Sequence, residues 1–442
     1  MPTVSVVMPT RNRANSADTQ IRSRRPLRIA LFHNCAGRGP KRAIYHFAKE
    51  LVRRGHHIDL YVLSTANEDF LPLKDLGVTQ KTFEAPRRGQ VKWLRPYLLE
   101  RYVESAKRIK WLTLYERTLR VVASDIEAGA YDVVWVDNCW ITETPFILRH
   151  LNTPTLVYCH EPKRDWFEDQ RLRRWTAEQG PGTSPRWYMA LCDTSTRLEH
   201  WYLRRVARKN IAAATRILTN SQHTRDYISA AYGSEAMVSR LGVDTMQFKP
   251  LGLPREHVVL TVGHLEKWER LEMTIQAVGL IPNGQRPHLT VVLPTRAHKR
   301  LERLTSLAQS LQVQLRIESG LPDEALVNWY NRAGVVVCTG LRESFGLVAI
   351  EAMACGTPVI GVREGGLQES IQHGQTGLLV DPTPKDLATS IQTILENPAL
   401  QDRMGRGGIA AVKAFWTWES AAGQFEEHLY NTQRHGHLSQ PT

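Results

Sequence analysis

The order of apolar runs predicts an α/β protein built from two doubly wound, mainly parallel sheets. Through residues 257–381, β-branched runs alternate with stretches of helical spacing, and an earlier alternation runs from 27 to 221. Between them lies LGVDTMQFKPLGLPRE, punctuated by Gly and Pro. Most of the strand-like runs are continuously apolar, as strands are when helices cover both faces of a parallel sheet.

At 442 residues the chain has room for two or three domains, each with its own core. In the second half, HVVLTVG (257–263) ends at glycine and is followed by helical spacing in LEMTIQAVGLI (271–281). LTVVLP (289–294) and LRIESG (315–320) read as strands around the helical RLERLTSLAQSLQ (300–312). PDEALVNWYNRA (322–333) has helical spacing, with Pro322 and Asp323 opening its first turn. GVVVCTG (334–340), PVIGV (358–362) and TGLLVD (376–381) complete the strands, with helices expected at 346–354 and 367–374. In the first half, LRIALFHN (27–34), HHIDLYVLS (56–64), YDVVWVDN (131–138), PTLVYCHE (154–161) and TRILTNS (215–221) read as strands. AIYHFAKELVRRG (43–55) is a helix closed by Gly55. The expected domains are residues 26–250 and 251–412, with a last helix over 413–432 and an extension over 1–25 that is poorly ordered.

Two stretches break the rhythm. From 86 to 120 the chain carries ten Lys+Arg, three Glu and five Trp/Tyr, and residues 162–209 are again rich in Arg and Trp. Both read as helical insertions in the first domain, packed on it or lying on an acidic bilayer. The net charge of +13 is concentrated there: residues 1–250 hold 40 Lys+Arg against 25 Asp+Glu, and the remainder 17 against 19. Such a half fits a nucleic acid, a phosphorylated acceptor or an anionic membrane surface, or is a solvated basic surface without a partner. No run approaches the roughly 18 apolar residues of a membrane span, and MPTVSVVMPTRNRA does not read as a secretory signal. The six cysteines are scattered singly, as in a reducing compartment; a disulfide framework or zinc site is not expected. These features predict a cytoplasmic protein.

The candidate site lies in RESFGLVAIE (342–351). Glu343 follows the run GVVVCTG, at the carboxyl end of a parallel strand, where open α/β sheets place ligands. Ser344, Phe345 and Gly346 start a helix whose free amides suit a phosphate, and Gly346 allows close approach. Glu351 lies about 12 Å further along a helical path. An acid at each end can accept hydrogen bonds from the hydroxyl pairs of a ribose or hexose. By themselves the two acids read equally as a helix-cap acid and a solvated helix position. REGGLQE (363–369) brings Gly365 and Gly366 beside the same opening. The pattern suits a sugar joined to a nucleotide through phosphates.

RESFGLVAIEAMACGTPVIGVREGGLQESIQHGQTGLLVDP resembles the signature region of the retaining glycosyltransferases of family 4, which have the GT-B fold. The resemblance extends through LVNWYNRAGVVVC, ILTNSQHTRDYISAAYG, LGVDTMQFKP, CHEPKR and the opening LRIALFHNCAGRGPKRAIYHFAKELVRRGHHIDLYVLS. It implies two Rossmann-like domains facing across a cleft, the first binding acceptor and the second a nucleotide sugar, with the last helix crossing back to the first. It also implies roles. Glu343 binds hydroxyls of the transferred sugar and Glu351 the nucleotide ribose, while backbone amides around Phe345, Gly346, Leu347 and Val348 hold the diphosphate. His160 matches a histidine facing the donor sugar, although by itself it reads as a satisfied histidine at a strand end. Gly37 and Gly39 match the glycine loop near donor phosphate and acceptor.

One departure stands out in VGHLEKWERLEMTIQAV. The family usually carries an arginine and then a lysine here, a pair that neutralises the leaving diphosphate. His264 stands at the arginine position and Glu269 aligns with the lysine position, leaving Lys267 or Arg270 as substitutes. No DxD pair or His/Asp metal cluster is present, which fits metal-independent transfer without a cofactor. MPTVSVVMPTRNRA itself resembles the first strand and loop of the family 2 glycosyltransferases and reads as a vestigial extension.

The function expected is a hexosyltransferase of the 2.4 class. It would move a hexose, with mannose one candidate, from a UDP- or GDP-linked donor to a glycan or lipid-linked acceptor, in polysaccharide or glycolipid synthesis. Peripheral contact with the inner face of the plasma membrane is part of that expectation, and nucleic acid is not an expected partner. The alternatives are a sugar-nucleotide epimerase on the same fold and a non-catalytic binder of anionic surfaces or nucleic acid.

Overall fold

The computed structural model describes residues 24–87, 97–167, 186–294 and 300–438. The stretch resembling family 2, the tail beyond 438 and parts of both basic insertions lie outside the described residues.

Seven strands form one sheet: β1 (Arg28–Asn34), β2 (His57–Leu63), β3 (Thr79–Phe83), β4 (Val133–Cys139), β5 (Thr155–Tyr158), β6 (Arg216–Thr219) and β7 (Met237–Val238). Their order is β3-β2-β1-β4-β5-β6-β7. A second sheet contains β8 (Glu256–Val262), β9 (His288–Leu293), β10 (Leu315–Ser319), β11 (Ala333–Cys338), β12 (Val359–Val362) and β13 (Gly377–Val380), in the order β10-β9-β8-β11-β12-β13. Pairing is parallel throughout both sheets. Strand order therefore reverses between β1 and β4 and again between β8 and β11. At such a reversal two neighbouring loops leave in opposite directions and open a crevice.

Alternation along β1 divides the first core. Ile29 and Leu31 join Ile44, Phe47 and Leu51 of the helix Arg38–Arg53, whereas Ala30 and Phe32 join the group containing Tyr115, Leu119 and Ile211 on the insertion helices. The helix Trp418–Leu438 packs on the Ile29 side, where Phe425 stacks on Phe47 with ring centroids 4.5 Å apart. Glu426 of the same helix accepts from Arg54 at 2.9 Å and pairs with His56 at 2.8 Å. The linker passes this returning chain so closely that a Cβ on Gly242 would sit 2.5 Å from the Trp418 nitrogen.

Strands read from continuous apolar runs occur where the sequence suggests, within a few residues. β3 and β7 carry no such signal: β3 is the largely exposed TQKTF and β7 has two residues. The helix expected over 367–374 stops at Ser370. Ile371 turns to extended backbone, and His373 Nδ1 accepts from Leu379 N at 3.0 Å, tying the segment to β13. The helices Pro384–Leu395 and Pro398–Phe415 are additions to the sequence reading.

The basic insertions contain the helices Tyr97–Glu127 and Arg186–Ile211, joined through Arg108 to Glu199 at 2.7 Å. Leu112, Tyr115 and Leu119 of the first and Leu203 and Ala207 of the second are buried, while Leu198 and Trp201 are exposed. Among the described residues no helix is long and apolar enough to cross a membrane.

Candidate functional site

The two strand-order reversals face one another across a cavity of about 330 Å³. Its second-domain wall is built from the loops after β8 and β11. Gly263 follows β8 directly and Gly340 lies two residues beyond β11, and the side chain of Glu269 occupies the space a Cβ would fill: one on Gly263 would lie 2.8 Å from Glu269 Oε2. A Cβ on Gly340 would lie 3.0 Å from Glu343 Oε2 and 3.9 Å from Glu269 Oε2. Two carboxyl groups therefore stand close together at the switch point. Burial pushes the Glu269 carboxyl up to about 8, with the neighbouring Glu343 adding to the rise. The His264 amide, Arg164 and Arg300 act in the opposite sense.

After Glu343 the chain turns into the helix Leu347–Ala354 through Gly346, which adopts φ +94°. A side chain there would be strained, and its Cβ would lie 2.8 Å from Leu367 Cδ2. Gly346 caps the helix without a side-chain hydrogen bond, and the first helical bonds come from Ala349 and Ile350 back to Gly346 O. The start of the helix is thus open to an anion. Phe345, Gly346, Leu347 and Val348 all line the cavity.

Glu351, one turn deeper, is buried and accepts from Tyr330 Oη at 2.9 Å. Burial raises its carboxyl above the usual range, against the pull of Arg42, whose Nε lies 3.8 Å away. Arg42 comes from the first domain and grips Asp323 with two bonds of 3.0 Å. A bidentate fork of this kind holds its carboxylate in a fixed plane. Arg42 is thus a bridge across the cavity at the end marked by Glu351.

The first-domain wall holds His160, Gly39 and Arg38. His160 follows β5 and its Nε2 lies 3.0 Å from Asp137 Oδ1. Asp137 is buried at the end of β4, and its other oxygen accepts from Trp135 Nε1 at 3.1 Å. An ionised Asp137 fixes the proton on Nε2 and leaves Nδ1 with its lone pair. Gly39 lies in the first turn of the helix Arg38–Arg53, where an added Cβ would meet nothing within 4 Å.

Several residues singled out from the sequence stand elsewhere. Gly37 is the N-cap of the helix Arg38–Arg53 and is not a cavity-lining residue. Gly365 and Gly366 back the Glu343 loop: their added Cβ atoms would fall 2.4 Å from Glu343 O and 2.3 Å from Ser344 O. His264 lines the cavity, whereas Lys267 and Arg270 do not. Arg270 instead pairs with Glu364 at 2.9 Å. The residues that sequence reasoning missed include Asp137, Arg42 and Asp323, with Arg38 and Asn220 beside them on the first-domain side. Asp137 had one usable signal, an acid closing a buried strand, and Arg42 had none beyond its place in a helix. Glu269 was noticed as a misfit, without its closeness to Glu343. Among the described residues no group of three or more His, Cys, Asp or Glu side chains could hold a metal ion.

Two family models match the chain. The one described as glycosyl transferases group 1 covers residues 244–410, and the glycosyl transferase 4-like domain covers 38–241. The D-inositol 3-phosphate glycosyltransferase of Streptomyces bingchenggensis is 31% identical over 236 residues, 48% of this chain and 52% of the relative. The protein of that name from Acidothermus cellulolyticus is 34% identical over 245 residues, 50% of this chain and 54% of the relative. The chain thus spans about half the length of the curated relatives it matches. Among solved structures, sucrose-phosphate synthase from Thermosynechococcus elongatus has TM-score 0.65 at 22% identity, covering 92% of this chain and 100% of that one. Anabaena Alr3699/HepE in complex with UDP-glucose has TM-score 0.64 at 17% identity, with coverage of 92% and 100%. These two likenesses concern the fold.

Proposed function

The chain belongs to the group 1 glycosyltransferases with a 4-like first domain, and from that premise we propose that it transfers a hexose, with retained configuration, from a nucleoside diphosphate to a glycan or lipid-linked acceptor. The observation that carries the reading is the cavity between the two strand-order reversals, lined at once by Glu343, the open start of the helix Leu347–Ala354, Glu351 and His160. Glu351 receives the ribose hydroxyls, the amides around Phe345 to Val348 receive the diphosphate, and Glu343 receives hydroxyls of the sugar. His160, oriented by Asp137, stands on the acceptor side of the same space. The acceptor approaches from the face the leaving group vacates, and a departing phosphate oxygen takes its proton. The new glycosidic bond forms as the sugar–phosphate bond breaks, and in this scheme protein groups, without a metal ion or cofactor, meet the charge on the leaving diphosphate.

Charge on the leaving diphosphate needs stabilisation, for which preorganised groups typically supply several kcal/mol. Because Arg270 is held by Glu364, that role falls to the helix start and to Arg38 on the opposite wall. UDP- and GDP-linked hexoses are both compatible with this scheme, mannose among them. A lipid-linked acceptor at the inner face of the plasma membrane accords with the exposed Leu198 and Trp201, the latter beneath Arg205 at 5.7 Å.

A thermal-unfolding panel of UDP-, GDP- and ADP-hexoses tests the reading. A true donor at 100 times its Kd stabilises by about 2.7 kcal/mol. Transfer should then persist in EDTA, with the product anomer matching the donor. If no nucleotide sugar shifts unfolding, the proposal is wrong.

A further inference from the structure

Residues Leu341 to Ser344 turn the chain from β11 toward the helix Leu347–Ala354, and each of their carbonyls has a donor. Arg164 donates through Nη1 to Leu341 O at 2.6 Å and through Nη2 to Arg342 O at 3.0 Å. The Gly366 amide donates to Glu343 O at 2.6 Å. Ser221 Oγ donates to Ser344 O at 2.6 Å, with Thr224 Oγ1 on the same oxygen at 3.3 Å. Arg164, Ser221 and Thr224 all belong to the first domain, so the loop carrying Glu343 is held largely from across the cleft. Arg342 sits at φ +48°, a left-handed conformation that a non-glycine residue keeps only when its surroundings impose it.

The same groups reach back to His160. Arg164 Nε donates to Glu161 Oε1 at 2.5 Å, on the residue next to His160. Asn220, next to Ser221, donates through Nδ2 to His160 O at 3.1 Å. Two short paths therefore connect the backbone at His160 with the backbone around Glu343. A guanidinium suits the first path because its planar fork serves several acceptors at fixed angles, which an ammonium on a flexible stem does not. The Arg164 side chain is 14% exposed, so water competes little for these bonds.

We propose that Arg164 is a positioning residue: it grips Leu341 and Arg342 from across the cleft and so fixes Glu343 relative to His160 at the sugar end of the donor site. The proposal rests on the reading of Glu343 as the sugar-binding acid. A first-domain side chain thereby helps to organise the second domain's loop, alongside Ser221 and Thr224.

The test uses the full chain with Arg164→Ala and Arg164→Lys and two kinds of readout. Without any ligand, amide hydrogen exchange over residues 341–346 should quicken on the order of tenfold in the Ala variant and less in the Lys variant. Unchanged exchange overturns the proposal. With UDP and UDP-glucose, or the GDP or ADP pair if the unaltered protein prefers it, the sugar-bearing ligand should lose roughly tenfold in affinity while the bare diphosphate stays within about twofold. Millimolar guanidinium should restore part of the difference in Arg164→Ala. Equal loss for both ligands means a general structural role and overturns the proposal, as does a retained sugar preference. Should the unaltered chain bind no nucleotide at all, the functional reading is what fails, and the exchange measurement still decides whether Arg164 holds the loop.

Discussion

The two domains reverse their strand order in the same way, yet they build their halves of the cleft differently. The second domain supplies Glu343 to Val348 and Glu351 from one loop–helix corner, beside the ends of β8 and β9, with Gly365 and Gly366 letting backbone pack on backbone behind that corner. The first supplies Arg38, Arg42, Asp137, His160 and Asn220, drawn from the ends of several strands and from a helix. A group of contacts made at one loop–helix corner needs a fixed local sequence, because spacing along the chain sets spacing in the site. A wall made from several strand ends is set by the sheet, and any one of its loops can change without the others.

Removing Glu343 should produce the largest effect. Glu343→Ala is expected to lower the transfer rate by roughly two to three orders of magnitude, the range seen when a preorganised polar partner of a reacting group is lost. The side chain lies in the cavity beside glycines, so the unfolding midpoint should barely move. Near-normal kcat would break the comparison at its stronger side. Glu351→Gln is next. It keeps an acceptor for Tyr330 but loses the charge facing Arg42, and nucleotide affinity should fall by about 10- to 100-fold through one or two weakened hydrogen bonds. Titration with the bare nucleoside diphosphate reads this directly, and an unchanged Kd would remove Glu351 from the nucleotide end.

On the first-domain side, Asp137→Asn sharpens the comparison. The amide can still lie against His160 Nε2 but no longer fixes the proton there. A fall of about tenfold in kcat is expected, with donor Kd nearly constant. A fall in thermal stability with an unaltered kcat would instead mean that Asp137 only braces the strand ends beside Trp135.

How far the fold and site could be read from sequence follows the same division. β8, β9, β11 and β12 are continuous apolar runs because both faces are covered, and that pattern survives in the letters. β3 is an edge strand facing water on most of its residues, so its letters resemble a loop. The Glu343–Glu351 corner was legible as a local motif. Arg42 and Arg164 were not, because each matters through a partner more than 150 positions away: Asp323 for the first, Leu341 and Arg342 for the second. Gly365 and Gly366 were read beside the ligand, but their need for a bare Cα comes from the carbonyls of Glu343 and Ser344 behind it.

The smallest expected effect concerns Glu269, the acid that stands beside Glu343 in the second-domain wall. Its carboxyl is pushed by burial from the usual 4.5 up to about 8, so the folded chain holds a proton that the unfolded chain has released. Stability from this group is therefore complete below about pH 4.5 and is lost as pH rises toward and through about 8. The groups facing it are Glu343, the His264 amide, Arg164 and Arg300; Glu343 opposes ionisation and the others favour it. Glu269→Gln should match the unaltered protein near pH 4 and gain relative stability from pH 6 to 9. A donor diphosphate meets the same gradient: raising pH ionises Glu269 in the cavity wall, so affinity should weaken from pH 7 to 9 and this dependence should flatten in Glu269→Gln. Parallel stability curves for the two proteins would show that folding leaves Glu269 unshifted and therefore ionised from pH 6 to 9. The second-domain wall would then carry the Glu269 charge at neutral pH, and the burden of neutralising the diphosphate would rest more heavily on the first domain.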